Sequence, residues 1–251
     1  MVLVTRPALE ARDWVSRLQH HGIAAAALPL IAIGQPPSAD AIFAARTRLP
    51  SARAAMFVSA NAVRGFVRGA CAWPRGVRAW ATGPGTAEAL AQASVPASLI
   101  DQPAADAAQF DSEALWERVS GQLRPGDTVL LVRGGEADGT PSGRDWLAQQ
   151  VQERGAHIDV VVAYVRALPQ WSPAEFALAR AGAGDGGLWL FSSSEAVGNL
   201  QQLLPACDWS RALALATHPR VADAAHKLGF HEVSLCRPAF DAVLASIESR
   251  R

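Results

Sequence analysis

Four short polar motifs follow apolar runs in this 251-residue chain, and their side chains could bind an anion. The motifs are Ser59-Ala60-Asn61, Gly83-Pro84-Gly85-Thr86, Ser192-Ser193-Ser194 and Thr217-His218-Pro219-Arg220. In open α/β sheets ligands bind at the carboxyl ends of strands, and helix N-termini attract carboxylates. Ser, Thr and Asn also cap helices, so a purely structural role stays open beside the functional one.

Several arginines add to this anion-binding potential. Arg6 and Arg133 occupy equivalent positions just after apolar runs, and Arg220 stands at a predicted helix start, where a cation is unfavourable unless an anion neutralises it. Arg144 is a weaker candidate. Guanidinium groups bind carboxylates through paired hydrogen bonds. An arginine-rich composition, with Lys227 as the only lysine, is also typical of GC-rich genomes and needs no functional explanation.

Tyr164 is the only tyrosine, and it lies near the end of the strand-like run Val160–Val165. A phenol beside a bound ligand could act as a general acid, although strand tyrosines more often serve packing. Cys71, Cys207 and Cys236 are far apart and lack metal-ligand spacing, so we expect inert thiols and no metal site. No Walker loop, dinucleotide fingerprint or nucleophile elbow occurs in the sequence.

Strand-like runs alternate with amphipathic helical segments along the whole chain. Val2–Val4 and Leu188–Phe191 are typical of strands, and Leu9–His21 is typical of a helix. The longer run Ala27–Ile33 is predicted to form a single strand, and Gly182–Gly187 a flexible loop. This alternation indicates an α/β protein with parallel sheets.

The second half of the chain repeats motifs of the first half in the same order. Val2–Arg6 is similar to Val129–Arg133, and Phe57–Val63 is similar to Phe191–Val197. Ordered matches of this kind predict two related structural halves.

The repeat units can pair within each half or across the halves. Pairing within halves needs one domain crossing, near Ser120–Asp127, whereas interleaved pairing needs two. Prolines mark the two positions that interleaving requires, at Pro36-Pro37 and at Pro169 to Pro173. We therefore predict domain 1 from residues 1–34 and 168–251, and domain 2 from residues 35–167. The two adjacent linkers would form a two-stranded hinge beside a cleft.

Composition favours an ordinary globular protein. The formal net charge is zero and half of the residues are hydrophobic. Since no basic stripe is present, we expect no nucleic-acid partner. No apolar run is long enough to cross a bilayer, and the strand-like run at Val2–Val4, without a basic leader or cleavage site, leads us to expect no secretory signal. The expected setting is the cytoplasm, with the chain as a monomer.

The ordered motifs resemble those of uroporphyrinogen-III synthases over essentially the whole chain. The resemblance rests on Val4–Pro7, Phe57–Val63, Thr82–Ala87, Leu131–Gly134, Tyr164 and Phe191–Val197. It implies two flavodoxin-like domains with parallel sheets, interleaved and joined by a two-stranded hinge. It also implies the substrate hydroxymethylbilane, with four acetate and four propionate side chains, and no cofactor.

The implied reaction is a cyclising hydro-lyase step. Loss of the ring A hydroxyl gives an azafulvene, ring D attacks through its substituted carbon, and a spiro intermediate recloses with ring D inverted. Catalysis would depend mainly on holding the flexible substrate nearly closed. Tyr164 would protonate the departing hydroxyl. The expected substrate-binding residues are Arg6, Ser59, Asn61, Gly83, Pro84, Thr86, Arg133, Gly134, Arg144, Ser192, Ser193, Ser194, Thr217, His218 and Arg220.

One motif departs from the family pattern. The usual Gly-Pro-Thr-Thr of the second half is His218-Pro219-Arg220-Val221 here, so contacts of two hydroxyls must be replaced. Two rival functions stay open at this stage: a non-catalytic cytosolic two-domain binder of an anionic small molecule or tetrapyrrole, and a nucleotide-sugar or methyl transferase. The transferase would need a nucleotide-binding loop, which the sequence lacks.

Overall fold

A computed structural model describes residues 1–67, 72–107, 109–143 and 145–250. By contacts between residues, the chain separates into two compact units. Unit 1 contains residues 1–32 and 167–251, and unit 2 contains residues 33–166.

Strands and helices alternate through both units. In chain order they are β1 (Val2–Val4), α1 (Ala8–His20), β2 (Ala25–Ala27), β3 (Ala32–Gly34), α2 (Ala39–Arg48), β4 (Ala54–Phe57), α3 (Ala60–Phe66), β5 (Arg78–Ala81), α4 (Pro84–Gln92), β6 (Ile100–Asp101), α5 (Ser112–Val119), β7 (Thr128–Gly135), α6 (Trp146–Glu153), β8 (His157–Ala167), α7 (Pro173–Gly184), β9 (Leu188–Phe191), α8 (Ser194–Leu203), β10 (Leu213–Ala216), α9 (Pro219–Leu228), β11 (Glu232–Leu235) and α10 (Phe240–Glu248). Three short 3₁₀ helices lie at Leu49–Ser51, Ala97–Leu99 and Ser120–Gln122.

Unit 1 has a five-stranded parallel sheet in the order β11-β10-β9-β1-β2. Numbered within the unit, this is the order 2-1-3-4-5 of flavodoxin-like sheets. The central pair joins distant parts of the chain, because Leu3 on β1 lies opposite Trp189 on β9. Unit 1 is therefore complete only when both ends of the chain are present.

The sheet of unit 2 has the order β3-β8-β7-β4-β5-β6. The neighbouring pairs from β8 to β6 are parallel. If β7 and β8 are counted as the first two strands and β3 is set aside, the order is again 2-1-3-4-5. The two sheets thus share one topology, with the repeat units joined in a different sequence order. The predicted fold class, α/β with parallel sheets, is confirmed.

Each sheet is covered by apolar side chains on both faces, which explains why its strands are continuous apolar runs. In β1, Leu3 joins one buried cluster, while Val2 and Val4 join the cluster on the opposite face. In β4, Phe57 and Met56 likewise lie in different clusters. Strand alternation therefore divides each core into two layers.

Two local predictions were wrong. The run Ala27–Ile33 does not form a single strand, since its ends belong to β2 in one sheet and to β3 in the other. The loop predicted at Gly182–Gly187 is partly helical, because α7 continues to Gly184. Gly182 is needed there as a contact residue: a Cβ at this position would lie 2.3 Å from Leu3 Cδ1. Within the described residues, no helix has the length and apolar character needed to cross a membrane.

Candidate functional site at the strand ends

The carboxyl edge of unit 2 brings Tyr164, Ser59 and Gly134 together. The hydroxyl of Tyr164 lies 3.1 Å from Ser59 Oγ, and the tyrosine is 6% exposed. Gly134, on the intervening strand β7, lies directly beside the phenol ring. A Cβ at position 134 would be 2.6 Å from Tyr164 Cζ and 2.9 Å from its hydroxyl oxygen. Only glycine leaves room for the tyrosine to reach from β8 to the end of β4.

A β-bulge in β8 directs the tyrosine toward this edge. Arg133 is paired with Val162, but the next residue, Gly134, is paired with Tyr164, so Ala163 is an extra residue in β8. Bulges of this kind change which face a side chain points to. As a result Ala163 and Tyr164, though consecutive, contribute to the same buried cluster.

Helix α3 is fixed closely to this bulge. Ser59 is the N-cap of α3, and its Oγ accepts a hydrogen bond from the Ala62 backbone N–H at 3.2 Å. Near the other end of the helix, Gly65 packs on β8. A Cβ at Gly65 would lie 2.1 Å from the Ala163 carbonyl oxygen. The same short helix therefore contacts β8 through its cap and through a glycine.

The remaining predicted residues of unit 2 after β4 and β5 occupy helix starts. Asn61 is buried, and its Oδ1 accepts a hydrogen bond from Arg64 Nη1 at 2.9 Å. Gly83 is the N-cap of α4, Pro84 is its exposed first residue, and Thr86 is buried in its first turn. The Thr86 backbone N–H donates to the Gly83 carbonyl oxygen at 3.1 Å.

Arg133 is engaged inside unit 2. Its side chain is 5% exposed, with Nε donating to the Ser142 carbonyl oxygen at 2.9 Å and Nη1 to Asp145 Oδ1 at 2.7 Å. These bonds fix the loop that follows β7. Arg144 lies outside the described residues.

Arg6, the counterpart of Arg133 in unit 1, has a different environment. Its guanidinium lies 4.2 Å above the Trp14 ring, and Nη1 is 3.6 Å from Glu10 Oε2. Its Nε is buried without a hydrogen-bond partner among the described residues. Burial lowers the pKa of Arg6 from its usual range, an effect partly opposed by Glu10. The guanidinium is thus held by Trp14 and Glu10, and among the described residues its Nε is left as a donor without an acceptor.

The strand ends of unit 1 next to Arg6 carry the predicted hydroxyl and imidazole groups. Ser193 caps α8 through its Oγ, which accepts from the Glu195 backbone N–H at 3.2 Å. Ser192 is half-buried and Ser194 is exposed. Ser194 Oγ donates to the Arg220 carbonyl oxygen at 3.3 Å, which links α8 to α9.

His218 replaces the usual small residue as the N-cap of α9. Its Nδ1 accepts a hydrogen bond from the Arg220 backbone N–H at 3.1 Å, so the neutral ring carries its proton on Nε2. Thr217 is buried at the end of β10, and Arg220 is exposed in the first turn of α9. An exposed cation at a helix N-terminus remains available to an anion.

Sequence patterns did not point to Arg166, which closes the loop after β7 from the other side. Its Nη2 donates to Ser142 Oγ at 2.6 Å and lies 3.3 Å from Glu136 Oε1. No sequence pattern pairs positions so far apart. In the part of the chain that the structure describes, no group of three or more His, Cys, Asp or Glu side chains could hold a metal ion.

The strand ends of each unit can bind carboxylates, and the edge of unit 2 can also donate one phenolic proton. Helix N-termini and the cations Arg6 and Arg220 supply hydrogen-bond donors for anions. Tyr164 supplies a proton donor among groups that are otherwise apolar or already hydrogen-bonded.

Comparison with known proteins identifies a family and two solved structures to which the chain is similar. A family model described as uroporphyrinogen-III synthase HemD matches residues 12–245. The structure is similar to that of uroporphyrinogen-III synthetase from Helicobacter pylori, with a TM-score of 0.62 and 15% identity, covering 100% of this chain and 99% of the other. It is also similar to a mutant uroporphyrinogen III synthase from Thermus thermophilus, with a TM-score of 0.55 and 16% identity, covering 100% and 98% of the two chains.

Proposed function

The chain belongs to the uroporphyrinogen-III synthase family, and we propose that Tyr164 and the strand-end groups described above carry the reaction of that family. The activity is that of a lyase of tetrapyrrole biosynthesis, which cyclises hydroxymethylbilane to uroporphyrinogen III with inversion of ring D and release of water.

Tyr164 is the proton donor in this proposal. The supporting observation is the position of the phenol at the carboxyl edge of unit 2. Gly134 leaves room for its ring, and Ser59 Oγ lies within hydrogen-bond distance of its hydroxyl. A proton given to the ring A hydroxyl lets it leave as water, which makes breaking the C–O bond easier. Because substrate positioning supplies much of the rate, loss of the phenol should slow the reaction without abolishing it.

Substrate carboxylates bind, in this proposal, to the strand-end groups of each unit. Arg6 is the strongest candidate, because its side chain is mostly buried and its Nε has no hydrogen-bond partner among the described residues. Arg220 and the backbone N–H groups at the starts of α4, α8 and α9 offer further donors. Arg133 acts indirectly, by holding the loop that follows Gly134.

A coupled assay tests both roles. Hydroxymethylbilane is generated in situ, the products are oxidised, and the type I and type III uroporphyrins are separated by chromatography. We expect mainly type III with the protein present. Tyr164→Phe should lower kcat by about tenfold to a hundredfold. Thr47→Val removes a hydroxyl that bonds only within α2, and should leave the rate unchanged. Equal rates for Tyr164→Phe and the unchanged protein would refute the acid role.

A second pair of variants tests whether Arg6 binds a carboxylate of the substrate. Arg6→Met should raise KM several-fold because a charge-assisted contact to the substrate is lost. Arg12→Met changes an exposed arginine on the adjacent helix α1 and serves as the control. An unchanged KM in Arg6→Met would remove Arg6 from the binding site. Product of type I alone, from folded protein, would favour the anion or tetrapyrrole binder.

We also infer that the protein acts as a monomer in the cytoplasm, with residues 1–34 and 168–251 as one domain and 35–167 as the other. The absence of net charge supports a small-molecule partner over nucleic acid. Light scattering at several concentrations tests the oligomeric state.

A further inference from the structure

We infer that Ser59 positions the acid: its hydroxyl donates a hydrogen bond to the oxygen of Tyr164, so that the phenolic proton can pass to the substrate. The inference deepens the proposed role of Tyr164 and rests on it for its catalytic meaning. The effect of the Ser59 hydrogen bond on the ionisation of Tyr164, however, can be measured without any turnover.

The donors and acceptors around Ser59 favour this direction. A serine hydroxyl has one hydrogen to donate and two lone pairs to accept with. Ser59 Oγ already accepts from the Ala62 backbone N–H at 3.2 Å, and its other neighbour is Tyr164 at 3.1 Å. If Tyr164 were the donor, Ser59 would accept twice and its own hydrogen would have no protein acceptor. Donation from Ser59 uses its hydrogen as well as its lone pair, and it directs the Tyr164 hydrogen toward a different acceptor, which in the proposed reaction is the substrate hydroxyl.

The apolar surroundings of Tyr164 increase the effect of a hydrogen bond donated by Ser59. Tyr164 lies against the buried cluster that also contains Val161 and Ala163, and Gly134 leaves no side chain between the ring and Ser59. Burial disfavours the charged phenolate, so a hydrogen bond to its oxygen has a large effect on the ionisation. The N-cap bond to Ala62 in turn holds Ser59 Oγ in one orientation.

Tyr164 gives up one proton and regains one proton in each reaction cycle. As the C–O bond of the hydroxymethyl group breaks, its electron pair stays on oxygen, which takes the Tyr164 proton and leaves as water. Tyr164 becomes a phenolate that accepts the hydrogen bond from Ser59. When ring D recloses in its inverted orientation it loses one proton, and that proton restores the phenol.

The single tyrosine allows a direct test. Protein made with 3-fluorotyrosine carries the label at position 164 only, and its fluorine resonance reports the pH midpoint of ionisation. If Ser59 donates to the phenolate, Ser59→Ala should raise this midpoint by about one pH unit. Ser59→Thr keeps the hydroxyl and should restore the midpoint of the unchanged protein. An unchanged or lowered midpoint in Ser59→Ala would overturn the inference.

A matched variant separates this effect from loss of a helix cap. Ser38 caps α2 in the same unit, with Oγ accepting from the Ala41 backbone N–H at 3.0 Å, and it has no place in the proposed site. Ser38→Ala should leave the Tyr164 midpoint unchanged. A shift of equal size in Ser38→Ala would assign the effect to general loosening of unit 2, and would overturn the inference.

Kinetics then test the proposed function separately. Ser59→Ala should lower kcat by about tenfold with a smaller change in KM. In the Tyr164→Phe background the same substitution should have little further effect, since Ser59 acts through the phenol. If the midpoint moves but Tyr164→Phe does not slow the reaction, the donation from Ser59 to the phenolate stands and the acid role fails.

Discussion

Replacing Gly65 with alanine sets helix propensity against packing, and the sign of the result decides between them. Alanine is favoured over glycine inside a helix by up to about 1 kcal/mol. On that basis alone, Gly65→Ala would stabilise α3. In the structure, however, the added Cβ would lie 2.1 Å from the carbonyl oxygen of Ala163 and 2.9 Å from its carbonyl carbon.

The obstacle is backbone, so the strain cannot be relieved by a side-chain rotation. Ordinary contact between such atoms requires α3 to move away from β8 by roughly 1 Å. Overpacking of this kind typically costs about 1–3 kcal/mol. Because the clash is with backbone, the upper part of this range applies, roughly 2–3 kcal/mol, and after a gain of about 1 kcal/mol in helix propensity we expect Gly65→Ala to lower the free energy of unfolding by about 1–2 kcal/mol. Since α3 also carries Ser59, the same movement should weaken the contact with Tyr164.

Gly198 provides the matched control in the related helix α8. A Cβ at Gly198 meets no atom within 4 Å, so Gly198→Ala should stabilise the protein by about 0.5–1 kcal/mol. For a chain of this length, 1 kcal/mol changes the melting temperature by roughly 2–4 °C. Calorimetry of the two variants should therefore show shifts of opposite sign. An increase in melting temperature for Gly65→Ala would refute the tight contact between α3 and β8.

Three other outcomes follow from the described contacts. Gly134→Ala should displace the Tyr164 ring and lower kcat by at least about tenfold, with retained far-ultraviolet circular dichroism. An unchanged kcat would refute the claim that only glycine at position 134 leaves room for the catalytic position of the ring. Arg133→Met removes the partly buried hydrogen bonds to Ser142 and Asp145 and should cost about 1–3 kcal/mol in chemical denaturation, whereas no loss would mean that the loop is held by other contacts. Burial raises the pKa of Cys236 from 9.0 to about 11, with a smaller opposing effect from Arg6. The folded state therefore favours the protonated thiol, so the free energy of unfolding should fall as the pH rises from 9 to about 11. The Cys236→Ala variant should not show this decrease. The same pH dependence in the variant and in the unchanged protein would contradict the raised pKa of Cys236.

The fold class could be predicted because its signals are local and repeated. Apolar runs alternating with helical segments give parallel α/β structure, and the ordered similarity of Val2–Arg6 to Val129–Arg133 indicates two related sheets. The run Ala27–Ile33 misled because apolar character does not reveal that a chain passes from one sheet to another. Short, half-exposed strands such as β6 and β11 lack the apolar runs by which the longer strands were found.

The candidate site was only partly predictable. Tyr164 stood out because it is the sole tyrosine, but strict alternation along Val160–Val165 places it on the face opposite Ala163. The bulge puts both residues in one cluster, and it depends on pairing with β7, which no local pattern encodes. The repeat likewise predicted equal roles for Arg6 and Arg133. Their difference arises from loop contacts at Ser142 and Asp145 that form only in the folded chain.

The pairing of β1 with β9 also determines when each unit can form during synthesis. Unit 2 is one uninterrupted segment, so all of its strands have left the ribosome before unit 1 is finished. The first strand of unit 1 must wait, because the Thr5 hydroxyl donates to the carbonyl oxygen of Leu190, 185 positions later. Since domains generally fold as units during synthesis, the nascent chain carries an apolar β1 and α1 without their sheet until the C-terminal third emerges. We therefore expect this N-terminal segment to be open to chaperone binding until β9 has been synthesised.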